Sequence, residues 1–206
     1  MYRPKRYEKE NPAYIFEFIQ QHPFATFVLQ GQRLLGTHIP VLTRGDAGEF
    51  ILFGHIANHN EQHQWLRDGM EALLIFQGPH AFVSSSWYKD KNISTWDYSA
   101  VHINVQLKIQ DEEELKQCLQ VLVDTFEQRE ERPFFYHDIP RQMLLDHLPH
   151  ITGFWCHPFK TEAVAKLHQG YEQDDIQSVV EHLRKRQDAL SHELSKDLQK
   201  EHGTED

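Results

Sequence analysis

The chain has 206 residues, with 21 basic against 31 acidic side chains, a net charge of −10 and two cysteines. At roughly 150 residues per domain this predicts one domain with a small appendage. Two cysteines without a CxxC exclude a disulfide scaffold and fit a reducing cytoplasm, and no apolar run of about 18 residues offers a membrane span; the basic start Met1-Tyr2-Arg3-Pro4-Lys5-Arg6 lacks the apolar core of a secretory signal.

Asn11-Pro12 ahead of Ala13-Tyr14-Ile15-Phe16 predicts a capped helix that stops near His22-Pro23. The period then changes. Residues 25–29, 33–42 and 49–55 read as strands, separated by the turn signals Gln30-Gly31-Gln32 and Gly45-Asp46-Ala47-Gly48. A short helix is predicted over Asn60 to Arg67, then strands over residues 72–76, 80–83 and 100–109. In the last of these Val101, Ile103, Val105, Leu107 and Ile109 share one face. Asp111 with Glu114 is a capping-box signature for a helix through Leu115, Leu119, Leu122 and Phe126. A further helix near Arg141 to His147 and a strand over Ile151 to Phe159 follow. From Asp174 the spacing of Ile176, Val179, Val180, Leu183, Leu190, Leu194 and Leu198 predicts one long polar surface helix fraying at Gly203. Closely spaced strands with few helices favour an antiparallel barrel over a doubly wound sheet.

His55, His59 and His63 recur every four residues, but His55 ends a strand, so a shared metal-binding face is not expected. Ser84-Ser85-Ser86 forms no GxSxG elbow, and Cys118 and Cys156 sit where buried structural thiols sit. No Walker or Rossmann glycine loop is present. Gly54-His55-Ile56-Ala57-Asn58-His59-Asn60 leaves a strand for a helix, and the free N–H groups of such a start attract anions. Trp87-Tyr88 and Trp96-Asp97-Tyr98 place large aromatics in polar, turn-like surroundings, which suits a planar ligand or a subunit interface that includes Trp87, Tyr88, Trp96 and Tyr98.

Several of these segments carry a resemblance. They are Met1-Tyr2-Arg3-Pro4, His22-Pro23-Phe24-Ala25, Thr37-His38-Ile39-Pro40-Val41-Leu42, Gly54-His55-Ile56-Ala57-Asn58, Phe76-Gln77-Gly78-Pro79-His80, Ser86-Trp87-Tyr88, Thr95-Trp96-Asp97-Tyr98 and Val101-His102. In this order and spacing the sequence resembles the PaiB family of FMN-binding negative transcriptional regulators, through about residue 170. The resemblance implies an FMN-binding split barrel: a Greek-key antiparallel barrel, mainly β with peripheral helices, forming a homodimer with FMN at the subunit interface. It makes residues 1–170 the barrel domain and 171–206 a polar amphipathic helix and tail. Thr37, His38, Ile39, Pro40 and Val41 would line the isoalloxazine, and His55, Ile56, Ala57, Asn58 and Asn60 would lie near the phosphate. Trp87 and Trp96 would approach from the other subunit. Lys91, Lys166 and Gln169 complete the implied set, with Lys166 supplying a positive charge.

The chain departs from the family pattern at six positions. Asn58 stands where the family has Arg, and Glu61 where it has Pro. Ser94 and Asp97 replace Pro and Asn, and His168 and Gly170 replace Ser and Asn. The implied function is an FMN-binding regulator that is not an established enzyme. The alternatives are a flavin-dependent oxidoreductase, with His38 or His55 as a proton donor, and a cofactor-free or haem- or metal-binding dimer. The basic cluster His182-Leu183-Arg184-Lys185-Arg186 reads as a solvated helix face, so direct DNA binding is not expected.

Overall fold

The computed structural model describes residues 1–90 and 92–203. Helix α1 (Pro12–Gln21) starts as its sequence demands, with the Asn11 carboxamide accepting the Ala13 N–H at 2.9 Å. Strands β1 (Phe24–Gln30) and β2 (Leu34–Pro40) form a hairpin, in register from Phe24↔Pro40 to Gln30↔Leu34. The run predicted over residues 33–42 breaks here. Pro40 donates no hydrogen bond, and the Val41 N–H turns away to the Pro23 carbonyl at 2.8 Å. The chain beyond becomes β3 (Leu42–Gly45), paired instead with β4 (Phe50–Ala57).

The two strands predicted over residues 72–83 are one, β5 (Glu71–Val83). It tolerates Pro79 because β1 pairs with it only from Ala72 to Ile75, so no β1 bond is lost. β6 (Thr95–Ile109) shows the expected alternation, with Val101, Ile103, Val105 and Leu107 buried. It begins earlier than expected and takes Thr95 to Tyr98 out of the predicted loop. Both halves of the Asp111/Glu114 capping box are formed at the start of α2 (Glu112–Glu127). After α3 (Arg141–His147), β7 (Ile151–Lys166) runs past Phe159 to Lys166. The seven strands follow the order β2-β1-β5-β6-β7-β4-β3, a mainly β fold with helices around it. Among the described residues no helix is long and apolar enough to cross a membrane.

The chain forms two compact units, each assembled from separate stretches of sequence. The larger comprises Phe16–Phe76 and His102–Thr161. Its core holds Ile19, Phe27, Leu52, Leu74, Phe76, Ile103 and Phe154, all sealed from water, with the Phe27 and Phe154 rings stacked at 5.0 Å. Each such side chain stabilises the fold by about 1.5–3 kcal/mol. Gly54 is tightly enclosed, since a Cβ there would stand 3.2 Å from the Pro40 carbonyl oxygen.

The smaller unit gathers Met1–Ile15, Gln77–Val101 and Glu162–Asp206. The single long surface helix expected at the C-terminus is two helices, α4 (Gln173–Arg184) and α5 (Ala189–His202). Asp188 breaks the run by capping α5 through the Ser191 N–H at 2.8 Å. The apolar stripe faces inward: Val179, Val180, Leu183, Leu194 and Leu198 pack with Ala81, Val83, Tyr88, Ala165 and Leu167. Leu190 is the exception, exposed on the first turn of α5.

One carboxylate in α5 opposes this packing. Burial, with Glu193 nearby, pushes Asp197 up to about 6 from the usual aspartate value. The folded state therefore binds a proton that the unfolded chain has lost, and this stabilisation is full below about pH 4 and lost as pH rises through 6. Asp197→Asn should stabilise the protein at pH 8 by about 1 kcal/mol, reduced by the group's partial exposure. It should change little at pH 4. Urea unfolding at the two pH values checks the difference.

Candidate functional site

The first group of candidate residues lies in the larger unit. Ile39 and Val41 turn their side chains into the core, while His38 is exposed and its ring lies 6.0 Å from that of Phe24. The Thr37 hydroxyl accepts a hydrogen bond from the Asn60 carboxamide at 2.9 Å, which ties β2 to the turn after β4. The helix predicted over Asn60 to Arg67 is a short 3-10 turn, Glu61–Trp65, capped by Asn60 through the Gln62 N–H. Gln62 reaches back to the carbonyls of Phe27 and Leu35, fixing that turn against the β1–β2 hairpin.

The predicted set of free donors at this turn is corrected by Asn58. Its N–H donates to the His150 carbonyl at 2.8 Å, its carboxamide to the Pro149 carbonyl at 2.9 Å, and its oxygen accepts from the Thr152 hydroxyl at 2.7 Å. Asn58 thus fastens the end of β4 to the start of β7. Ile56 is buried beneath it. His55 is half-buried, and burial pushes its pKa below the usual histidine range, so its imidazole is neutral at pH 7. Among the described residues no three His, Cys, Asp or Glu side chains converge as a metal site would require.

Arg33 extends this group of residues, and no motif marked it in the sequence. From the β1–β2 turn its guanidinium forks onto the Glu61 carboxylate, at 2.6 Å and 2.7 Å. The pair holds Glu61 below the usual carboxylate range.

The remaining candidates lie in the smaller unit, except Lys91, which falls outside the described residues. Tyr88 is not an interface aromatic: it is buried, and its hydroxyl meets His168 Nε2 at 2.8 Å. Trp87 is half-covered, stacked on His182 at 4.9 Å with the Arg186 guanidinium also 4.9 Å from its ring. Trp96 remains 56% exposed, beside His80 and the exposed Phe82. Gln169 spans the Ala165 carbonyl and Glu201. The Lys166 ammonium donates to the Thr95 hydroxyl and to the Trp96 carbonyl, and lies 3.6 Å from Asp97.

Asp97 and His168, both departures from the family pattern, touch each other. Asp97 is fully buried and accepts from His168 Nδ1, which fixes the imidazole tautomer so that Nε2 accepts from the Tyr88 hydroxyl. His168 does this at φ 59°, a left-handed conformation that a β-carbon disfavours. The two cysteines take no part: burial pushes Cys118 up to about 11, and Cys156 is sealed in β7 with its thiol raised further.

A family model described as "Putative FMN-binding domain" matches residues 1–157. Protease synthase and sporulation protein PAI 2 of Bacillus subtilis is 31% identical over 185 residues, 89% of each chain. Among solved structures, the FAD and heme binding protein of Mycobacterium smegmatis superposes with a TM-score of 0.59 at 14% identity, covering 83% of this chain and 79% of that one. Flavocytochrome Anf3 of Azotobacter vinelandii gives 0.51 at 12% identity, covering 77% and 71%. At such identities the likeness is one of fold, the split barrel. The family model and the Bacillus relative carry more: the chain belongs to the FMN-binding family of PaiB-like flavoproteins.

Proposed function

We propose that the protein holds FMN along the outer edge of β2, in a homodimer, and regulates transcription through a metabolite or a protein partner, without reading DNA. One observation carries the cofactor part. Among the described residues β2 stands at the end of the strand order and pairs with β1 alone, leaving backbone N–H and C=O groups along its far edge. The polar rim of an isoalloxazine presents hydrogen-bonding groups that match such an edge, as an added strand does. At Gly36 the face of β2 flanking that edge is open, since a Cβ there would meet no atom within 4 Å beyond its chain neighbours. Thr37, Pro40 and Asn60 would then orient the ring, and bound flavin would supply hydride or electron chemistry. Titration of the purified protein with FMN, followed by flavin fluorescence, should show saturable binding with Kd at or below about 1 μM. No saturation by about 100 μM would sink the reading.

The regulator part draws on the resemblance to the PaiB family, and the exclusion of DNA reading on the engagement of the basic cluster. Arg184 donates to Gln199 at 2.5 Å, and Arg186 lies over Trp87. An oxidoreductase is favoured instead if NADH or NADPH bleaches the bound flavin, and the exposed His38 on β2 would then be the proton donor to test.

The dimer has its own test. Trp96 and Phe82 form an exposed aromatic pair of the kind that subunit contacts cover. Trp96→Ala should weaken dimerisation at least tenfold, on the scale of an interface hot spot. Sedimentation at low micromolar concentration reads it, and an unshifted dimer speaks against this surface.

A further inference from the structure

Neither Asn58 nor the short turn that follows it has a free cation to offer a phosphate. Asn58 is neutral, and its backbone N–H and one carboxamide N–H are committed to His150 and Pro149. Arg33 is paired to that turn, its fork taken up by Glu61 at 2.6 Å and 2.7 Å, while Arg67 beyond the turn donates only to the Trp65 carbonyl at 3.4 Å. Both partners are exposed, with 66% and 47% of their side chains in water. Asn60, adjacent to Glu61, reaches Thr37 on β2, so the ion pair continues the row of groups assigned to the flavin.

We propose that Arg33 is the phosphate-binding residue of this flavin site and that Glu61 is a built-in competitor, which occupies the guanidinium until the phosphate of FMN displaces it. The inference rests on the FMN reading above and adds the cation and its regulation. The exchange is favourable on simple grounds. A phosphomonoester carries about −1.5 to −2 charges and three acceptor oxygens, against one charge and two oxygens for Glu61. An exposed ion pair is weak and easily broken. Glu61 nevertheless competes at the high effective concentration of a tethered group, and so lowers the affinity for FMN. Because Arg33 holds the Glu61 pKa below its usual range, mild acid does not lift the competition.

The test compares FMN with riboflavin, which lacks the phosphate, on the full-length protein by fluorescence titration. Glu61→Gln should tighten FMN about fivefold to tenfold and leave riboflavin unchanged. Arg33→Gln should loosen FMN about tenfold, flatten its dependence on salt, and make Glu61→Gln silent when the two are combined. Both sites are exposed, and thermal melts will confirm that the variants fold. If FMN binds and Arg33→Gln leaves its affinity unchanged, the assignment of Arg33 is overturned while the flavin site stands. Equal shifts for riboflavin and FMN also overturn it. Should neither flavin bind any variant, the FMN reading itself falls, and this inference with it.

Discussion

A chain ending at Gly170 is expected not to fold its smaller unit. The truncation removes α4 and α5, and with them Val179, Val180, Leu183, Leu194 and Leu198, each at most 4% exposed. Burial of five such aliphatic side chains contributes about 8–15 kcal/mol. That equals the whole stability of an ordinary domain, about 5–15 kcal/mol. Ala81, Val83, Ala165 and Leu167 would be left facing water. Far-UV circular dichroism and urea unfolding of the 1–170 fragment check this. A cooperative transition with the midpoint of the full chain would show that residues 171–206 are an appendage after all.

The second large effect concerns Asp97. Asp97→Ala leaves the buried His168 Nδ1 proton without an acceptor and the half-buried Lys166 ammonium without its counter-charge. Removing one member of a buried ionic group in this way costs about 3–5 kcal/mol. Asp97→Asn alone should cost less, about 1–3 kcal/mol, because its carboxamide oxygen can still accept from His168 Nδ1. So should His168→Ser alone, which unpairs Asp97 and Tyr88 but leaves Lys166 beside the carboxylate. Combined, they restore the residues that the family pattern carries at both positions. The double variant should therefore be more stable than the sum of its parts by at least about 1 kcal/mol. Additive losses in urea unfolding would mean that the two departures are unrelated.

Much of the fold was legible because periodicity reports burial. The alternation from Val101 to Leu107 and the Asp111/Glu114 box both translate directly into β6 and the start of α2. Where the reading missed, a local signal met a non-local condition. Gln77-Gly78-Pro79 looks like a turn, yet β5 runs through it because the Pro79 side of the ladder has no β1 neighbour. Leu190 keeps helical spacing with Leu194 and Leu198, but Asp188 caps a new helix and the long run divides.

The candidate site was less legible for the same reason. Thr37 and Asn60 were nameable from the resemblance, and they touch. Arg33 was not, since its value lies in a carboxylate 28 residues away. Asp97 and His168 were each visible as departures. Their pairing across 71 residues was not.

The smaller unit is assembled from the first, middle and last parts of the chain, and its N-terminal segment meets its final helix: Lys9 pairs with Glu201 at 2.6 Å across 192 residues. On the ribosome the segment before α1 must therefore wait for its long-range partners in β7 and α5 until those elements have been made. Contacts of such sequence separation close late and slowly. During that interval Tyr7, buried in the finished protein, is open to solvent and to chaperones. Glu8 and Lys9 bridge Val164 and Ala163 of β7, so a nascent chain stalled before that strand would present its opening segment, Tyr7 included, as a handle for recognition.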